Sequence, residues 1–142
     1  MGTRRRAIEG PASIESATLK HVNDAQSLKL VDGDMSITDE IQILFAPGET
    51  EGHQVVRIHS RGETLYCLGD IYHHPNEFKL PQWMVSWADS VSDRKSRERI
   101  TERAVKDNGV LIGTHIRHLG TLKPTAMGVE WAMSHKWTDC DR

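Results

Sequence analysis

The chain has no apolar run of the roughly 18 residues needed to cross a bilayer, and its basic opening is not followed by an apolar signal-peptide segment. Neither a transmembrane helix nor a secretory signal is supported, and a soluble, cytoplasmic protein is the expectation. Cysteine is scarce: Cys67 and Cys140 are the only two, far apart and not in a C-x-x-C pair. That spacing gives neither a disulfide framework nor a thiolate zinc site, and Cys67 reads as a buried strand residue. Charge of one sign is lacking too. Eighteen basic and twenty acidic residues leave a net charge of -2, and the "TRRR" at 3–6 is too short to change it. No electrostatic case for nucleic acid or a membrane surface follows. Internal repeats and low-complexity tracts are absent.

The 142 residues suit one domain. Residues 1–26 show weak apolar periodicity and read as an N-terminal segment: frayed, a short helix, or the stub of something longer. "SLKLVDGDMSI" reads as a strand, a turn at Asp32-Gly33-Asp34 and a short extended piece. "IQILFA" predicts a buried strand over 41–46, and "HQVVRIHS" with "ETLYCLG" predicts a hairpin over 54–69. Pro75 and Pro81 impose a loop with short helical turns. The charged stretch from Ser92 to Asp107, with Ile100, Ala104 and Val105 on one stripe, predicts an amphipathic helix capped by Ser92 or Asp93 and ended at Gly109. "VLIGTH" predicts a strand that delivers His115 to a loop, and a last short strand and turn fit "GTLKPTAMGVEWAMS". A sheet covered by helices is implied.

His53, Asp70 and His115 each fall at a predicted strand end, where side chains from different strands can converge. Imidazole and carboxylate suit Zn²⁺ and related divalent ions. Their spacing alone is not a local ligand motif, and the common fate of a single histidine is a structural or surface role.

The sequence around them is more specific. "FAPGETEGHQ", "TLYCLGDIYHHP" and "VLIGTHIRHLG" resemble three successive motifs of the metallo-beta-lactamase-fold hydrolases, in particular the lactonase-like branch with "TPGHTPGHQ", "GDxxHHP" and "GTHxxxxGxG". The likeness spans about residues 27–122. It implies an α/β, α+β-layered fold: the C-terminal half of an αβ/βα sandwich, mostly one β-sheet with flanking helices, here residues 27–142. It also implies a site with two zinc ions. His53 resembles the histidine completing the first metal site, Asp70 the carboxylate that bridges both ions and orients the hydroxide nucleophile, and His115 the last histidine of the second site. One anion between two dications about 3.5 to 4 Å apart is reasonable chemistry.

The family's H-x-H-x-D-H motif is missing; no H-x-H occurs, and the only histidine before His53 is His21. With His53, Asp70 and His115 alone, each metal would keep one histidine and a shared carboxylate, short of the three protein ligands usual for catalytic zinc. The sheet that would cover this one is missing likewise, so a homodimer or a partner that supplies the cover is expected. Tyr72, His73, His74 and His118 are candidate pocket residues. Packing of the histidine pair against Pro75, and solvent for His118, are the alternatives. Glu49 and Glu51 read as solvated turn residues, Trp83 and Trp87 as packing anchors or an apolar entrance. Two functions are thus open: a metal-dependent hydrolase of an ester or lactone, incomplete as this chain, or a non-catalytic half-domain that acts as a structural or partner-binding module.

Overall fold

The structure, a computed structural model, describes residues 14–136; Cys140 lies outside them. The chain divides into two compact units, 1–31 and 32–142. The first holds helix α1 (Ile14–Asp24). It closes where Gln26 takes a φ of 56°, with Gln26 N donating to Asn23 O and Ser27 N to Val22 O. The strand expected at its end does not form: residues 27–31 belong to this unit and have no strand partner, without which an extended segment is not a strand.

The second unit is one seven-stranded sheet in sequential order: β1 (Met35–Ser36), β2 (Ile41–Phe45), β3 (Gln54–Ser60), β4 (Glu63–Cys67), β5 (Val110–Gly113), β6 (Ile116–Thr125) and β7 (Gly128–Met133). Neighbours are antiparallel except β4 and β5, which run parallel. Parallel neighbours need a crossover. A 3-10 helix (Pro75–Phe78) and helix α2 (Ser90–Lys106) provide it.

The β3–β4 turn puts both Arg61 (φ 52°) and Gly62 (φ 79°) in the left-handed region, as a two-residue hairpin of the primed type requires. Helix α2 starts earlier than the sequence suggests. Asp89 is its N-cap, its Oδ1 accepting from Ser92 N at 2.8 Å, because Asp93 is spent on an ion pair inside the protein. At the other end Asn108, not Gly109, takes the left-handed position (φ 47°), with Asn108 N donating to Val105 O and Gly109 N to Ala104 O. The last hairpin is longer than predicted: β6 and β7 pair from Gly120–Met133 to Thr125–Gly128.

Helix α2 covers one face of the sheet. Leu44, Val55, Tyr66, Leu68 and Leu111 form the core with Ile100 and Ala104 of the helix, and each large aliphatic buried there contributes about 1.5–3 kcal/mol. At the helix end, Asp107 accepts from Arg57 Nε (2.8 Å) and Tyr66 Oη (2.6 Å). On the other face the register aligns Ile41 with Ile58, Ile43 with Val56, Ile58 with Leu65, and Cys67 with Ile112. All of these are partly exposed, Ile112 by 41%.

Candidate functional site

Three chain segments meet at one rim of the sheet. The loop after β2 closes on itself, Gly48 N and His53 N both donating to Thr50 O and Ala46 N to His53 O, which sets His53 at the start of β3. After β4 the chain turns at Gly69 (φ 61°) and presents Asp70. The turn after β5 is tied to it by Thr114 N donating to Gly69 O at 3.1 Å, which brings His115 alongside. His53, Asp70 and His115 are thereby brought together. His115 Nε2 lies 3.5 Å from Asp70 Oδ1, both side chains nearly half exposed. His53 Nε2 accepts a hydrogen bond from Asp70 N at 3.1 Å.

That bond fixes the chemistry of His53. Its Nε2 lone pair is used, so in the neutral ring the proton sits on Nδ1, a buried atom that lies toward the Ala46 backbone without forming a hydrogen bond of full geometry. Burial pushes the imidazole below its ordinary pKa, against the opposing pull of Glu49, Asp70 and Asp93. Gly69 packs so close that a Cβ there would lie 2.9 Å from His53 Nε2.

A metal centre needs donor atoms that converge on one point. Asp70 Oδ1 and His115 Nε2 converge and face solvent, as ligands must. His53 does not join them in this arrangement, its Nε2 being committed to the Asp70 amide. Among the described residues no three His, Cys, Asp or Glu side chains are arranged to hold a metal ion.

The candidate pocket residues divide. His73 belongs to the cluster: its ring stacks on His115 with centroids 4.4 Å apart and planes at 17°, and its Nδ1 is buried without a partner. Trp87 meets His73 edge-on at 6.3 Å and donates from Nε1 to Glu49 Oε1 at 2.9 Å, which ties that turn carboxylate to the aromatic rim. Trp83 and Trp87 are 51% and 66% exposed, so neither is a core anchor. Tyr72 is buried, stacked on Phe78, and its hydroxyl is hydrogen-bonded to Thr101 Oγ1 at 2.9 Å. It lines a cavity of about 360 Å³ with Phe78, Arg97 and Val129, which His53, Asp70 and His115 do not line. His74 is exposed and accepts from Asn76 N as the cap of the 3-10 helix. His118 is exposed on β6.

Sequence reasoning missed the ionic group beneath the site. Asp93, Arg97 and Glu77 are 0%, 4% and 7% exposed. Arg97 Nε stands 2.7 Å from Asp93 Oδ2 and Nη2 3.0 Å from Glu77 Oε2. The i,i+4 spacing of Asp93 and Arg97 was visible, but on so charged a helix it reads as a solvated pair.

No protein-family model and no curated protein matches the chain. Solved structures do. The dizinc quorum-quenching lactonase AidC, in complex with a product, superposes with a TM-score of 0.69 at 22% identity, over 92% of this chain and 51% of that one. The hydrolase AbOPH of the beta-lactamase superfamily gives 0.68 at 17% identity, over 94% and 51%. A probable metal-dependent hydrolase from Staphylococcus aureus gives 0.63 at 16% identity, over 78% and 41%. The chain spans about half the length of the solved proteins it matches. The seven-stranded sheet with a helix across one face is thus the metallo-beta-lactamase fold of these structures, matched over about half the length of their chains.

Proposed function

We propose that this chain contributes one half of a metal-dependent hydrolase acting on an ester or lactone, with zinc held by Asp70 and His115 together with donors beyond those described. The observation that carries the reading is the approach of His115 Nε2 to Asp70 Oδ1 at a solvent-facing rim, in the fold of lactonases and hydrolases. Asp70 is the candidate catalytic carboxylate. His53 is the third candidate ligand, and it reaches a metal only if its Nε2 releases the Asp70 amide. His73, stacked on His115, lines the mouth. A bound zinc would supply Lewis acidity and a nucleophilic hydroxide; the chain's own part is to hold Asp70 and His115 and to keep the His53 ring neutral by burial.

A second reading has its own support. His53 is committed to a backbone bond, no three donors among the described residues are arranged to hold a metal, and one sheet face carries partly exposed isoleucine, valine and leucine. Those features suit a module that binds a partner chain and performs no chemistry. Zinc content of the purified chain at known oligomeric state separates the two, together with hydrolysis of a lactone probe such as an N-acyl homoserine lactone. About two zinc ions per chain with turnover supports the hydrolase, as family sites hold paired metals. Zinc-free, inactive protein that also stays inactive when an H-x-H-x-D-H segment is supplied would reject it in favour of the binding module.

A further inference from the structure

A buried guanidinium between two carboxylates costs desolvation of three charges, and packed apolar side chains of the same volume would serve stability as well or better. Its presence calls for a reason other than stability. The Arg97 fork meets three groups, Asp93 and Glu77 as ion partners, with no hydrogen bond formed at Nε, and one carbonyl by a hydrogen bond. Nε faces Asp93, Nη2 faces Glu77, Nη1 donates to the backbone carbonyl of Trp83 at 2.6 Å, and the planar face lies 4.7 Å over the Tyr72 ring. One side chain on α2 thus holds the loop at 83, the 3-10 helix and the chain at 72.

The contacts continue into the rim. Glu77 Oε2, the same oxygen that faces Arg97, accepts from His73 N at 3.2 Å. The His73 ring in turn stacks on His115, whose Nε2 approaches Asp70. On the other branch the Asp93 backbone packs directly on Gly48, Asp89 N donates to Gly48 O at 2.8 Å, and Ser96 Oγ donates to Pro47 O at 2.6 Å. That loop ends at His53. The histidines of the rim hang from the two ends of one ion triad.

We infer that Arg97 is a positioning residue: through Glu77 and Asp93 it fixes where the rings of His73, His115 and His53 stand. A lysine keeps the charge at 97 but cannot bridge two carboxylates and a carbonyl at once in one plane. The use of those rings in hydrolysis rests on the reading proposed above, whereas their placement does not.

The test is the histidine ring-proton NMR spectrum of the full, metal-free chain. Stacked imidazoles displace each other's ring protons upfield. Arg97→Lys is expected to abolish that displacement at His73 and His115 and to move the His53 signals. Ile100→Val, which trims a buried residue of the same helix outside the triad, should lower the melting temperature and leave the signals in place. Should Arg97→Lys fail to fold, Glu77→Gln is the second variant, expected to shift His73 and His115 while sparing His53. Wild-type ring signals in a folded Arg97→Lys chain overturn the proposal, and so do wild-type signals in Glu77→Gln when Arg97→Lys does not fold. Because no metal is present, the ring signals report placement whether or not the chain binds zinc, so failure of the hydrolase reading and failure of this inference are read separately.

Discussion

The backbone amide of Asp70 donates to the imidazole of His53 at 3.1 Å, so the second strand end is tied to the first by the side chain expected to serve a metal. Removing the ring, His53→Ala, should release the Asp70 amide and cost about 1 kcal/mol for the lost bond, with a further loss for the cavity. Amide hydrogen exchange reads this directly. Exchange at Asp70 should quicken far more in the variant than at Leu68, whose amide donates to Ile112 O within the sheet. Equal protection of Asp70 in both proteins would contradict the bond.

Two glycines with positive φ differ in what surrounds them. At Gly48 (φ 146°) a Cβ would stand 2.2 Å from Asp93 Cα, backbone that cannot step aside. At Gly62 (φ 79°) nothing lies within 4 Å. Gly62→Ala should therefore cost only the conformational term, about 1 kcal/mol. Gly48→Ala should cost upward of ~3 kcal/mol, within the range that steric strain at a special backbone position produces. Denaturant melts of the two variants, side by side, decide it; similar midpoints would mean that the Pro47–Gly48 loop does not bear on α2.

Much of this architecture was legible in the sequence, and the illegible parts share a cause. Strand periodicity located β2 through β5, and the Arg61-Gly62 turn located the hairpin, because those signals are local. The three rim residues could be picked out since Gly69-Asp70 and Thr114-His115 each end an apolar run. The segment at 27–31 looked like a strand because its composition is right, but strandhood needs a partner that composition does not specify. Asp93 looked like a helix cap, and Arg97 drew no notice, for one reason: a charged residue inside a charged helix carries no mark of the face it occupies. The His53–Asp70 bond was invisible too, since a candidate ligand and an acceptor of a backbone proton are one residue type.

The cluster of Tyr66, Arg57 and Asp107 makes stability depend on pH at both ends. Burial works against the Asp107 charge, but hydrogen bonds from Tyr66 and Arg57 outweigh it and hold the carboxyl below its ordinary value of 3.8. Its contribution is complete above that value and is lost as pH falls through the lowered folded pKa. Tyr66 moves the other way: burial and the Asp107 hydrogen bond push its phenol from 10.0 up to about 12. The stability it brings is complete below pH 10 and lost as pH climbs toward 12. Burial also raises Tyr72, the other tyrosine of the chain. Phenolate absorbance should therefore be almost nil in the native protein at pH 10 and about half developed in guanidinium. Ionisation of one tyrosine at pH 10 in the folded chain would show that the Tyr66 cluster does not form.

The sheet face opposite α2 gives the last prediction. Ile43, Val56, Ile58, Leu65 and Ile112 lie in register across four adjacent strands, all partly exposed. A contiguous apolar patch of this kind drives association in water, each buried Å² contributing about 25 cal/mol. The purified chain should consequently self-associate as its concentration rises, read by light scattering after size exclusion. Ile58→Lys and Ile112→Lys place a charge on the face without touching the core around Leu44, Tyr66 and Ile100, so each should shift the population to monomer with little change in far-ultraviolet circular dichroism. If the wild type is monomeric at every concentration, the face does not mediate self-pairing. If the lysine variants unfold instead, Ile58 and Ile112 are internal to the structure, and their partial exposure would be refuted along with the patch.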